Sequence, residues 1–332
     1  MDAFDFSLIW AVIIGFGLMM YVLMDGFDLG VGILYPLSHS EAERDLMMNS
    51  VAPVWDGNET WLVLGGAGLL AAFPLVYSVF LPALYIPIFL MLAGLIFRGV
   101  AFEFRFKAKK SKKVWNLAFS AGSFLAAWSQ GAVVGAFIQG FALQDKVFVG
   151  GPFDWLSWFS VFTGFALVLG YALLGATWLV MKTEGDLQQW LQRLTPKLVW
   201  AILGVFLVVS VWTPMIEPVI AERWFAGVSL LWLLPIAALL SALTILYAIK
   251  TGHQILPFLA SLGVFLFAYL GLLLSRWPII VPPDYDLWQA ASAPESQLFL
   301  LLGFLFVIPI VLAYTAWTYW VFRGKVSSQG YH

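Results

Sequence analysis

Long stretches of this chain carry no charged side chain at all, among them residues 61–97, 155–181 and 224–249. A run of about 20 apolar residues crosses a bilayer as a helix. Helices and closed barrels are the only spanning structures, because lipid satisfies no backbone polar group. Barrel strands alternate polar with apolar residues, and these runs do not. The feature therefore dictates an all-α, polytopic integral membrane bundle. Composition agrees: 62% of residues are hydrophobic and 11% charged, against about 45–50% and about 25% in soluble domains.

The runs divide into nine expected spans, at roughly 7–35, 56–74, 76–98, 114–143, 155–181, 198–217, 224–250, 254–276 and 297–322. Residues 61–97 exceed one straight crossing, and Phe73-Pro74 marks a break where a tight hairpin turn is expected. Basic residues set the direction. With the N-terminus outside and the C-terminus inside, 14 of the 17 Lys and Arg residues fall in inside loops, Arg98 among them, and only Lys146, Arg223 and Arg276 fall outside. The run from Arg98 to Lys113 reads as a topology determinant touching lipid headgroups. The acidic start "MDAFDF" lacks a secretory n-region, so the first helix is read as retained. The 17 tryptophans, Trp55 and Trp61 included, read as an interfacial belt. The whole of 1–332 is expected to be one transmembrane domain, with no soluble domain, phosphate-binding loop or dinucleotide fingerprint, and the net charge of −2 gives no reason to expect nucleic acid.

Within "YVLMDGFDLGVG" (21–32), Asp25 and Asp28 lie three residues apart, on one helix face. The helix ends near Pro36, which puts them roughly 16 Å and 12 Å from its inner end. Gly26 and Gly30 form a GxxxG that permits close helix approach. Asp56, Asn58 and Glu59 follow at the inner start of the second span, so the acids gather in one hairpin within 21–74. Ionisable side chains in a membrane are costly and mark proton or ion routes. A water-assisted proton path from the inside is the expected role. Structural alternatives stand beside it: Asp56 suits an N-terminal cap, Glu59 the headgroup zone, and Asp28 a bond to a basic residue or a neighbouring helix. Asp25, the deepest, is the hardest to explain structurally.

The chain has no cysteine and 3 histidines. The first fact removes disulfides, iron–sulfur clusters and thiolate-ligated haem. His39 and His253 fall in inside loops and His332 is the last residue, so no span offers an imidazole. Met19, Met20, Met24 and Met91 read as packing. No haem or His-rich metal site is expected in this chain.

"DGFDLGVGILYPL" and "NSVAPVWDGNETWLVLGGAGLLAAFP" together resemble subunit II of cytochrome bd-type quinol oxidases, with wording close to the short, cyanide-insensitive type. The resemblance implies a haem-free subunit of a terminal oxidase in the bacterial inner membrane, one that takes electrons from quinol and reduces oxygen to water. It implies a partner, subunit I, that carries two b-type haems and a d-type or third b-type haem along with the quinol site. It associates Asp25, Asp28 and Asp56 with proton supply along the subunit interface. Asn58 and Glu59, at the inner start of the second span, are expected as entrance groups to that route. A structural quinone in subunit II and a small single-helix accessory subunit occur among relatives, and the sequence leaves both open. The rival readings are a proton-coupled secondary transporter and a structural scaffold whose acids are merely bonded.

Overall fold

The computed structural model describes residues 5–227 and 229–326. Its helices are α1 (Phe6–Leu34), α2 (Glu41–Val51), α3 (Trp55–Ala72), α4 (Pro74–Ala83), α5 (Tyr85–Phe104), α6 (Lys112–Gln139), α7 (Trp158–Lys182), α8 (Gly185–Ile216), α9 (Pro218–Phe225), α10 (Leu233–Lys250), α11 (Leu256–Arg276), α12 (Leu287–Ala290) and α13 (Pro294–Val321). Two short antiparallel hairpins complete it: β1 (Leu143–Gln144) with β2 (Val147–Phe148), and β3 (Ile279–Val281) with β4 (Tyr285–Asp286). Eight helices are long and apolar enough to cross a membrane among the described residues, and α3 with α4 makes a ninth only if that bent pair counts as one span.

The expected hairpin at Phe73-Pro74 takes a different form. The chain does break there, but α4 leaves α3 at 117°, and the third crossing starts only at Tyr85. Prolines explain the path. Pro74 opens α4 at its first turn, Pro82 lies near its end, and Pro87 falls in the first turn of α5. Proline is tolerated at a helix start and disruptive beyond it. The third span thus covers 85–104 rather than 76–98, which moves Arg98 from a loop into a helix. The sixth also starts earlier than the apolar pattern, because the polar residues from Gly185 onward continue the same helix.

The helix α1 runs unbroken through the centre and packs against α7, α3 and α6. Its glycines set the spacing. A Cβ at Gly30 would lie 1.8 Å from the Tyr171 carbonyl oxygen, and one at Gly175 would lie 2.3 Å from the Gly30 carbonyl carbon. The backbones of α1 and α7 therefore touch where the GxxxG allows it. Gly94 and Gly122 bring α5 and α6 together in the same way. By contrast, none of the most apolar 18-residue stretch of α13 is buried.

Candidate functional site

Asp25 and Asp28 are both buried on α1, at 0% and 1% exposure. Neither stands alone. Arg98, wholly buried on α5, reaches across and pairs with Asp25 through Nη1. Its Nη2 pairs with Glu59 of α3 at 2.7 Å. The guanidinium also stacks over Trp55, 5.8 Å from the ring centroid. A fork with five fixed donors suits two carboxylates at once. Removing one member of such a pair leaves an uncompensated buried charge.

Asp28 is held differently. Asn58 Nδ2 donates to Asp28 Oδ2 at 2.7 Å and lies 3.4 Å from the Met24 carbonyl, while Tyr319 of α13 donates to Asn58 Oδ1 at 2.9 Å. Because the nitrogen faces two acceptors and the oxygen faces a hydroxyl, the amide has one sensible orientation. On the other side of the acids, Gln130 of α6 links Tyr21 of α1 and Tyr171 of α7, each at 2.8 Å. Tyr21 lies beside Asp25, one turn along α1. Asp25 Oδ2, Asp28 Oδ1 and Arg98 Nε have no hydrogen-bond partner among the described residues. Two carboxylates thus share one guanidinium, a third carboxyl, Asp28, lies one turn along α1 on an amide, and one oxygen each of Asp25 and Asp28 lacks a hydrogen-bond donor among the described residues.

The structure brings Asp25, Asp28, Asn58 and Glu59 into one cluster. Asn58 is buried, while the Glu59 side chain keeps 29% of its surface exposed. Asp56 stays outside. It is exposed, in the first turn of α3, and the capping position belongs to Val54. Two sequence expectations change. Trp61 is not an interfacial belt residue, being 1% exposed and packed edge-on against Phe16 at 5.9 Å, and Trp55 contacts Arg98 and stacks on Phe102 at 4.9 Å. Arg98 is not a headgroup contact. The sequence hides it because the charge-free run 61–97 stops at Arg98, which places that residue at the end of a span. A correct span would have left one arginine inside a helix, the very signal that exposed the aspartates. Tyr21, Gln130, Tyr171 and Tyr319 gave no comparable signal, since polar neutral residues are common in spans.

A second polar cluster closes the basic end of the bundle. Arg105, fully buried, pairs with Asp45 at 2.6 Å and Glu41 at 3.2 Å on α2, and donates to Asn116 of α6 at 2.5 Å. Lys112 lies 3.5 Å from Glu41, and Arg44 pairs with it as well. Partial burial pushes the Glu41 carboxyl up, but the Arg44 hydrogen bond and charge, with Lys112 and Arg105, hold it below the ordinary glutamate value.

Among the described residues no group of three or more His, Asp or Glu is placed to hold a metal ion. His39 is exposed and lies 3.3 Å from Glu43, and His253 is exposed in the turn before α11. His332 lies outside the described residues. No described histidine is buried, so none is placed to ligate a haem iron inside the bundle.

The family model described as "Cytochrome bd terminal oxidase subunit II" matches residues 6–322. The chain belongs to that family. As a bd oxidase subunit II it is part of a respiratory oxidoreductase complex, and its spanning helices make it a multi-pass protein of the bacterial inner membrane. A subunit II implies a subunit I as its partner. Similar relatives include "Cytochrome bd-I ubiquinol oxidase subunit 2" of Escherichia coli K12, 28% identical over 361 aligned positions that cover 97% of this chain and 95% of that protein. "Cytochrome bd ubiquinol oxidase subunit 2" of Bacillus subtilis 168 is 28% identical over 330 positions, covering 96% of each. The fold is that of a chain in the structure of bd oxidase from Geobacillus thermodenitrificans, with a TM-score of 0.78 at 15% identity, covering 96% of this chain and 98% of that one.

Proposed function

We propose that this subunit II is the haem-free partner that braces subunit I of a quinol:oxygen oxidase and feeds it protons from the cytoplasmic side. The observation that carries the proton role is a cluster of three carboxyls with one cation among the described residues: buried Asp25 and half-buried Glu59 paired to Arg98, and buried Asp28 one turn away on α1. Isolated ionisable groups at such depth are costly. A purely bracing role would be met by neutral packing, and a buried ion pair is weak support for stability. An excess of carboxyls over cations instead makes a place whose charge balance improves when a proton is taken up.

In this reading each side chain has its own task. Arg98 keeps its charge and fixes the positions of Asp25 and Glu59. Asn58 orients Asp28 from within the cluster, deeper than an entrance group. Glu59 and the exposed Asp56, one turn apart on α3, form the approach from the surface. The uncovered apolar side chains Val63 and Leu70 lie on the same helix, at 67% and 51% exposure, and offer subunit I a surface next to that approach. The haems and quinol chemistry belong to subunit I, and no step here runs through them.

The test is Asp25→Asn in the assembled complex. Reduced-minus-oxidised spectra report whether the haem-bearing subunit still co-purifies, and oxygen consumption with quinol reports turnover. A proton route predicts a loss of about tenfold or more, in the range of a misplaced acid–base group, with spectra intact. Full turnover in an assembled complex would leave only the bracing role.

A further inference from the structure

The acid cluster is bounded by two amides. Asn58 stands between Asp28 and Tyr319, and Gln130 stands between Tyr21 and Tyr171. A carboxyl or hydroxyl can accept a proton on one side and release one on the other. A primary amide carries fixed donors and a fixed acceptor and does not ionise. Held at both ends, each amide conducts hydrogen bonds but no protons.

What lies behind each amide differs. Behind Gln130 is Tyr171, fully buried in the bundle. Behind Asn58 is Tyr319, half-buried, which lines a cavity of about 10 Å³ together with Ser50, Trp178 and Lys182. That volume holds about one water molecule. The Trp178 indole N–H, on a residue 2% exposed, has no partner among the described residues and belongs to the same lining. The tail after α13 covers this cavity. Lys182 Nζ donates to the carbonyls of Phe322 and Gly324, and Lys325 Nζ donates to that of Thr183 at 2.9 Å. The cavity is therefore a water-sized site one amide away from Asp28.

We propose that Asn58 is an insulating residue: its amide seals Asp28 from the Tyr319 cavity, so that Glu59 is the single titratable door to the buried acids. The proposal rests on the proton-route reading. A proton bound at the Glu59 carboxylate makes the neutral acid. Its transfer to the Asp25 carboxylate restores the Glu59 anion and leaves a neutral Asp25, with Arg98 unchanged. The same exchange through Asn58 would require tautomerisation of the amide.

The experiment closes the door and opens another. Glu59→Gln in the assembled complex is nearly isosteric and should lower quinol-driven oxygen consumption by about tenfold. Adding Asn58→Asp, or Asn58→Ser with its hydroxyl and room for water, should recover a large part of that loss through Tyr319. Adding Gln130→Glu should recover none, because Tyr171 leads nowhere. Haem spectra and subunit stoichiometry check assembly throughout. Glu59→Gln at the wild-type rate overturns the proposal, as do assembled Asn58 doubles that stay as slow as Glu59→Gln alone. Asp25→Asn separates the two levels: if it is slow while Glu59→Gln is fast, the route survives and the single door falls. If both are fast, the route itself falls.

Discussion

At the scale of the residue, Arg98 decides the character of the site. Replacing it with methionine leaves Asp25 and Glu59 without their shared cation, and loss of one partner from a buried pair costs about 3–5 kcal/mol. The expected outcome is a marked drop in the thermal midpoint of the detergent-solubilised complex. The double variant Arg98→Met with Asp25→Asn should lie closer to wild type than Arg98→Met alone, because it removes the fully buried stranded charge and leaves only that of the part-exposed Glu59. Equal midpoints for single and double would show that the pair is not coupled. The aspartates were legible in the sequence because a charge inside an apolar run has no ordinary explanation. Their partner was not, since the ion pair joins positions 73 residues apart and Arg98 looked like the end of a span. The neutral members, Asn58 apart, were invisible for a different reason: whether a tyrosine or glutamine in a span bonds to lipid-side carbonyls or to a buried acid depends on helix rotation.

At the scale of the element, two contacts carry predictions. Alanine at Gly30 would drive a Cβ into the Tyr171 carbonyl, so α1 and α7 must part. Overpacking of this kind costs about 1–3 kcal/mol. Alanine at Gly66, where a Cβ meets nothing within 4 Å, should be neutral or mildly stabilising by helix propensity. Thermal melts of the two variants side by side check this, and equal loss in both would argue against backbone contact as the cause. The second contact is the docking of α2 on Arg105. Glu41 is held below its ordinary value, so its contribution is present above the ordinary glutamate range and is lost as pH falls through and below it. Stability of the complex between about pH 6 and pH 3 should therefore fall less steeply in Glu41→Gln than in wild type, from a lower starting point. Element positions were largely readable from hydropathy. The failure was local, at α4, where three prolines within fourteen residues allow either a sharp hairpin or a short transverse helix. Sequence alone gives the breaks but not the angle between the pieces.

At the scale of the whole molecule, the basic residues predict the direction in the membrane, and a sequence without cysteine makes that prediction directly testable. A single cysteine at the exposed Lys109 should react with an impermeant maleimide only in inverted vesicles, and one at the exposed Asp145 only in intact cells. The reverse pattern would invert the proton route with it. The bundle class was evident from the charge-free runs. Which faces stay uncovered was not, because α13 and α7 are similarly apolar in sequence and opposite in burial. The ion pair between the first helix and the fifth also bears on how the protein is made. Ribosomes add about 5–20 residues per second, so α1 precedes its cation by roughly 4–15 s of synthesis. During that interval the nascent chain presents two aspartates to the insertion machinery with nothing to neutralise them. Stable release of α1 into lipid should wait for Arg98, and a chain stalled before that codon should remain bound to the translocon while one stalled beyond α5 lets go.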